Sequence, residues 1–442
     1  MPTIFVEGGS PLMGSVNVSG AKNSASKLIY ASMFSNEGVV LNNVPRVQTI
    51  SDDIEVIKSV GGEAEWLGTN TLSLNGSKIS TYEISREIGS KYRTALLLAG
   101  PLLFRFGKAF IPNYVPRDGK LRPVNRLIDT WRSLGFRVES DGDYIKVYME
   151  GLDQDSRIAF KSVSHIATDN AILSSVFLQK ETLITNASED TEVDDLIGLL
   201  NRMGASIKRS EDGKIVVIGT NIFKDAIFDV GPDKAEIATF ASLAVLTRGN
   251  ISIKNVNRES VLQFINFLNK INARFEFSEN ELRVWKHAEE LKSLNLEVSP
   301  SPGFSHEWQS LAVLLLTQAN GESTVHDKVY VDRFGYCLDL NRMGAKIDLV
   351  TPSEAGVEPY VSDDSYDVQT IGEPRTVAKI QGPTKLRGER LTIENFNYGS
   401  VLVLAALTAE GKSEIMGIEN INYYCEDFVD KLISLGAKIW EQ

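Results

Sequence analysis

The sequence predicts an α/β protein assembled from six copies of one β/α repeat, three in each of two similar domains with a ligand cleft between them. Three observations predict it. Short β-rich runs end at Asn43, Asn113, Asn186, Asn255, Asp327 and Gly417. Turns follow at Gly61, Gly135, Gly204, Asn272, Gly344 and Gly436, recurring about every 70 residues and more widely before the last. An apolar helical stretch precedes each short run, and an amphipathic one leads to each turn. A repeat of this length holds two helices and several strands, which makes it a small folding unit rather than a rung of a solenoid.

In chain order, Ile4 to Val18 reads as a β-hairpin with its turn near Gly8 to Leu12. Ser19-Gly20-Ala21-Lys22-Asn23-Ser24 then opens a helix that continues to Met33. Lys22 therefore lies in a first helical turn, where the helix dipole disfavours a cation. A lysine at a helix N-terminus does suit an anion. Arg93 to Leu103, Ala171 to Leu178, Thr239 to Leu246, Leu311 to Leu316 and Ser400 to Thr408 are predominantly apolar and read as buried helices. Val193 to Arg202 and Glu426 to Ser434 read as amphipathic covers for them. Gly204 ends a helix in the left-handed conformation at little steric cost, and Asn272 tolerates the same region. Thr351 to Glu373, rich in Ser, Asp, Pro and Gly, lengthens the last repeat and reads as a loop.

The 442 residues are enough for two or three domains, and 43% hydrophobic content fills their cores. Two cysteines, Cys337 and Cys425, make no disulfide framework, and no His/Cys cluster has metal-ligand spacing. No cofactor or metal is expected. The N-terminal residues lack a signal-peptide pattern, and no apolar run is long enough to span a bilayer, so a cytoplasmic location is expected. A net charge of −12 argues against a broad nucleic-acid-binding face; an anionic small molecule would need cations gathered locally.

Gly20-Ala21-Lys22-Asn23, Arg93-Thr94-Ala95 before Gly100-Pro101-Leu102, Arg122-Pro123-Val124 and Pro302-Gly303-Phe304 together resemble the enolpyruvyl transferases. Pro232-Asp233-Lys234-Ala235-Glu236, Val331-Asp332-Arg333-Phe334 and the stretch from Lys431 to Ala437 extend the resemblance almost end to end. It is strongest to the branch that acts on UDP-N-acetylglucosamine. The resemblance implies two inside-out α/β domains, with helices central and sheets outside. Residues 22–231, carrying a flexible loop near 112–122, would form one, and 1–21 with 232–442 the other. It also implies transfer of the enolpyruvyl group of phosphoenolpyruvate to the 3-hydroxyl of the amino sugar, with release of phosphate and domain closure that excludes water.

Phosphoenolpyruvate carries a phosphate and a carboxylate, so its site needs several cations together with proton donors and acceptors. The resemblance places Lys22 on phosphoenolpyruvate and Asn23 on the sugar, with Arg93 and Arg122 as further cations. It places Pro123, Val124 and Ser164 around the uridine and diphosphate, and Asp233, Val329 and Arg333 on substrate. Glu307 takes the place of the aspartate that removes the proton from the sugar hydroxyl, one methylene longer; a helix first turn favours an acid there in any case.

The chain departs from the family at several positions. Arg117 stands where the loop cysteine is usual, with Asp118 beside it as the alternative proton donor. Asn397 and Tyr423 align with two family arginines, leaving Arg117, Lys120, Arg333, Arg387 and Arg390 as substitute cations. Thr49 and Ile166 stand where an aspartate and a glycine are usual near the nucleotide. These departures keep two other readings open: transfer to a different nucleotide or sugar, and a silent protein that binds a nucleotide sugar. Fosfomycin, which alkylates the loop cysteine, is expected to leave the protein unmodified. An unchanged intact mass after incubation checks this, and an adduct on the 112–122 segment would contradict it.

Overall fold

Helix Lys22–Ser32 is buried at every residue from Ser24 onward, and helix Lys234–Leu246 at every residue but Ala235. Helices Ala99–Phe106, His165–Ser175, Gln309–Leu316 and Gly399–Thr408 are enclosed in the same way over most of their length. A helix buried on all sides has no solvent face to offer, so each must be wrapped by other elements. The computed structural model describes residues 2–114, 124–150, 156–285, 290–360, 366–394 and 398–441. The chain divides into two compact units, Gly20–Gly231 and Met1–Ser19 with Pro232–Gln442. Each unit holds three of the buried helices and its own apolar core.

The wrapping is done by six small open sheets among the described residues, none closed into a barrel. One plan recurs. The strand that leaves each buried helix has a parallel neighbour on one side and an antiparallel neighbour on the other. Glu181–Thr185, for example, lies between Ser156–Ala159 and Ile215–Ile218. In the three-stranded sheet, the single parallel bridge between Glu83 and Phe110 takes the place of the missing edge strand. The residues that end the short runs explain themselves here. Asn43, Asn186 and Asn255 have left-handed φ of 56°, 54° and 60°, and their amides donate to the carbonyls of Val230, Phe160 and Val18, each just past the parallel strand. The following turns at Gly61, Gly135, Gly204, Asn272, Gly344 and Gly436 all have positive φ, as the helix-ending reading requires.

Two local expectations fail. Residues 4–18 do not form a hairpin: Thr3–Glu7 lies between Lys412–Met416 and Lys438–Glu441, whereas Met13–Asn17 runs parallel to Asn250–Lys254. Two adjacent strands found better partners far along the chain, because Thr3–Glu7 completes the sixth sheet and Met13–Asn17 supplies the parallel edge of another. The segment from Thr351 to Glu373 is not simply a loop. It contains the one-turn helices Pro352–Ala355 and Val368–Ile371; the first is fixed by a capping box between Thr351 and Glu354, and Ser353 N–H donates to Glu373 at 3.0 Å.

The helix Lys22–Ser32 is tied down by acids rather than by apolar packing alone. Ser24 donates to Asp195, Ser26 to Asp53, and Lys27 Nζ pairs with Asp169 Oδ2 at 2.8 Å, with both side chains of that pair nearly inaccessible. Burial works against the Lys27 ammonium, but the charges of Asp169, Glu192 and Asp190 outweigh it and raise its pKa. Breaking such a buried pair commonly costs about 3–5 kcal/mol, since one charge is left stranded. At the start of this segment, a Cβ on Gly20 would lie 1.8 Å from the Asn43 carbonyl oxygen, so only glycine fits where the chain enters the helix.

Burial pushes the Asp53 carboxyl up to about 6, against hydrogen bonds from Ser26, Thr94 and Tyr30 that pull it down. Because the folded value lies above the unfolded one, this group favours the folded state most at low pH. Its contribution is full below the unfolded value near 3.8 and is lost as pH rises through about 6. Unfolding by urea at pH 5 and 7.5 is therefore expected to show wild-type stability falling, relative to Asp53→Asn, by about 1 kcal/mol across that interval. A constant difference between the two proteins would contradict it.

Candidate functional site

In the unit Gly20–Gly231, Lys22 and Asn23 occupy the first turn of the Lys22–Ser32 helix, with Lys22 Nζ 3.2 Å from Asn23 Oδ1. No side chain caps this helix at Ala21, and no acid lies in its first turn. Its N-terminal dipole and the lysine thus act together toward an anion. Arg93 opens the 3-10 helix Arg93–Leu98, which packs on the Lys22 helix. The neighbouring Thr94 hydroxyl donates to Asp53 at 2.6 Å, on the carboxylate that also holds Ser26 and Tyr30. The helix that Lys22 and Asn23 open and the turn that Arg93 opens are therefore joined through one buried carboxylate.

Ser164 caps helix His165–Ser175, its hydroxyl accepting from Ala167 N–H at 3.4 Å, and Asp169 of this helix meets Lys27. Ile166 packs against the core of the unit, while Thr49 is half-buried in the first turn of helix Gln48–Ser59. Val124 stands at the N-terminal end of helix Asn125–Ser133, on the outer layer. Arg117, Asp118, Lys120, Arg122 and Pro123 lie outside the described residues, as does Asn397.

In the other unit, Glu307 sits in the short 3-10 helix His306–Trp308, with its N–H bonded to Ser305 Oγ at 3.3 Å. Its Oε2 lies 3.7 Å from Lys234 Nζ. The Trp308 indole donates to the Lys234 carbonyl at 3.2 Å and packs on Phe264 and Phe304, so carboxylate and ammonium are set by a rigid aromatic cluster. Asp233 caps the Lys234–Leu246 helix: its Oδ1 accepts from the Ala235 and Glu236 N–H groups at 2.8 and 3.0 Å.

Val329 and Arg333 belong to a turn organised by Asp327, whose Oδ1 accepts from Val329 and Tyr330 N–H at 2.8 and 3.0 Å. Burial pushes the Asp327 carboxyl up to about 6, opposed by these N–H groups and by Arg333. Gln309 donates to Asp327 Oδ2 at 3.3 Å and accepts from Tyr336 at 2.8 Å, fastening the turn to the segment that carries Glu307. The Tyr330 ring closes the group, meeting the His306 ring at 5.1 Å and the Arg333 guanidinium at 4.2 Å. Asp233, Glu307, Val329 and Arg333 are thus assembled around Lys234 and Tyr330.

Arg390, one of the substitute cations, is exposed and paired with Glu414 at 3.3 Å, a surface ion pair. The Tyr423 ring lies tilted against that of Tyr424, with ring centres 6.1 Å apart. Sequence reading missed the roles of Lys234, His306, Tyr330 and the anchoring acids Asp53, Asp169 and Asp195. Lys234 was visible next to Asp233, but its partnership with Glu307 spans 73 residues and left no local signal. A second buried network was also missed: Glu236 accepts from Ser19 N–H at 3.0 Å and from Lys431, while Ser19 donates to Glu426 at 2.9 Å. Burial pushes the Glu236 carboxyl up to about 7 in spite of Lys431.

The described residues contain no group of His, Cys, Asp and Glu that could hold a metal, and no helix long and apolar enough to cross a membrane. In one unit a lysine at a helix N-terminus suits anion binding, and in the other a carboxylate held against an ammonium suits proton transfer. The chain is 33% identical over 445 residues to a UDP-N-acetylglucosamine 1-carboxyvinyltransferase of Chlamydia abortus, covering 99% of this chain and 98% of that one. It is 32% identical over 444 residues to UDP-N-acetylglucosamine 1-carboxyvinyltransferase 1 of Caldanaerobacter subterraneus, covering all of both. Among solved structures, the enolpyruvyl transferase NikO from Streptomyces tendae has the same fold, with TM-score 0.85 at 20% identity over 100% of this chain and 99% of that one. An EPSP synthase from Acinetobacter baumannii gives 0.74 at 14% identity over the whole of both chains. Residues 6–432 match the family model of EPSP synthase (3-phosphoshikimate 1-carboxyvinyltransferase), and the chain belongs to that family of enolpyruvyl transferases.

Proposed function

We propose that this chain transfers the enolpyruvyl group of phosphoenolpyruvate to the 3-hydroxyl of UDP-N-acetylglucosamine and releases phosphate, in the cytoplasmic synthesis of peptidoglycan precursors. The observation that carries the reading is Lys22 at an uncapped helix N-terminus, beside Asn23 and joined through Asp53 to the Arg93 turn, in a chain that is full-length kin to enzymes named for this reaction.

In this reading Lys22 and Arg93 neutralise the phosphate and carboxylate of phosphoenolpyruvate. Glu307 removes the proton from the acceptor hydroxyl, whose oxygen bonds to C2 of phosphoenolpyruvate while C3 gains a proton from the loop acid, Asp118 or a group polarised by Arg117. The tetrahedral adduct then loses a proton from C3 and its phosphate from C2, restoring the double bond on the acceptor. Lys234 stabilises the Glu307 carboxylate as the charge of the site changes. Arg333, held over Tyr330, supplies a positive charge in that unit. Val124, Ser164, Asn23, Asp233 and Val329 contact the nucleotide sugar, together with Arg122 and Pro123. A different nucleotide acceptor is the second reading, favoured by Thr49 and Ile166 at positions near the nucleotide.

Phosphate release from phosphoenolpyruvate, measured with and without UDP-N-acetylglucosamine, is expected to require both compounds and to fall to background in Lys22→Ala. Release with another nucleotide alone selects the second reading, and none with any acceptor, from folded protein, sinks both. Glu307→Gln is expected to lower kcat by about 10²–10⁴-fold with little change in acceptor affinity, as loss of a general base does. Unchanged kcat would remove Glu307 from that role.

A further inference from the structure

Asp53 is a buried carboxylate with no place in the chemistry above, yet three hydroxyls converge on it. Its Oδ1 accepts from Tyr30 at 2.8 Å and from Thr94 at 2.6 Å, and its Oδ2 accepts from Ser26. Tyr30 also lies 3.4 Å from the Thr94 hydroxyl. Two of these residues belong to the helix that begins with Lys22, Ser26 lying one turn beyond it; the third directly follows Arg93. The carboxylate itself comes from a third element, the outer helix Gln48–Ser59.

An apolar side chain in that position would avoid the penalty of burying a charge, and stability alone does not call for a carboxylate there. What a carboxylate adds is direction. Its two oxygens fix where each hydroxyl sits, and a fully satisfied buried network favours a single arrangement of the segments it joins. The segments joined here are those that carry Lys22 and Arg93.

We propose that Asp53 is a positioning residue: it holds the Lys22 helix and the Arg93 turn in fixed register, so that the two cations bind one phosphorylated carboxylate substrate as a pair. The proposal rests on the functional reading given above for Lys22 and Arg93. Asp53 touches no substrate. It acts through Ser26 and Tyr30 on one side and Thr94 on the other.

Thr94→Val removes one donor while keeping the side chain's shape, and Ser26→Ala removes the donor on the opposite side; both spare Asp53 and the two cations. Amide hydrogen exchange, which needs no activity, is expected to accelerate in each variant across both segments, 22–30 and 93–98, because both are fastened to one carboxylate. Steady-state phosphate release is expected to show KM for phosphoenolpyruvate raised about tenfold with a smaller change in kcat, since displaced binding groups weaken capture of the anion. Ile184→Val, a core change in a strand of the same unit, controls for a general loss of stability and should move neither measurement.

Exchange confined to the mutated segment would overturn the tie, whatever the activity. Faster exchange in both segments with an unchanged KM would overturn the positioning role. A wild-type protein without turnover would count against the functional reading instead, leaving exchange to decide whether the tie exists.

Discussion

A helix enclosed on every side can carry a polar group only if that group is paired inside the protein, and this constraint shapes both units. Water is not available to Ser24, Ser26 or Lys27 on the Lys22–Ser32 helix, so each is met by a carboxylate: Asp195, Asp53 and Asp169. These three acids come from the outer helix of the first repeat and from both helices of the third. The helix is consequently held from several directions, and its first turn, with Lys22 and Asn23, inherits that rigidity. A first turn on such a support is preorganised for the anion-binding role proposed for it.

The same constraint has a different outcome in the other unit. Helix Lys234–Leu246 carries Glu236 inside, and burial drives that carboxyl up to about 7 despite Lys431. Glu236 binds the Ser19 N–H, where the chain passes from strand Met13–Asn17 toward the other unit, and Asp233 of the same helix donates its own N–H to the Ser19 carbonyl at 2.9 Å. The buried acid therefore fastens the point at which the chain leaves this unit to the point at which it returns. Asp327 plays a comparable part for the turn that bears Val329 and Arg333.

Periodicity made the architecture legible, because most enclosed helices are largely apolar and positive-φ turns favour glycine or asparagine. Gly61, Gly135, Gly204, Asn272, Gly344 and Gly436 all fit that preference. The hairpin over residues 4–18 was misread for a physical reason: local turn signals cannot reveal that Lys412–Met416 and Lys438–Glu441 are better partners for Thr3–Glu7. The one-turn helices after Thr351 escaped notice because side-chain caps, not an apolar stripe, sustain them. Among the candidate residues, Lys22 and Glu307, one in each unit, could be singled out through motif and helix position. The acids that hold Lys22 were not, since a sequence shows Asp53, Asp169 and Asp195 only as three scattered carboxylates; their common target appears once the chain is folded.

The overall charge of −12 and an anionic substrate are compatible for a reason that the buried networks make plain. Several of the acids, Asp53, Asp169, Asp195 and Glu236 among them, are turned inward and spent on hydroxyls, amide N–H groups or lysines. Much of the remaining negative charge is at the surface, where salt screens it within about 10 Å. At short range the nearest groups outweigh net charge, and the helix that Lys22 opens has no acid in its first turn. Net charge is thus no argument against the anion-binding role proposed for Lys22, because the interior acids Asp53, Asp169 and Asp195 are bonded to the helix that carries it.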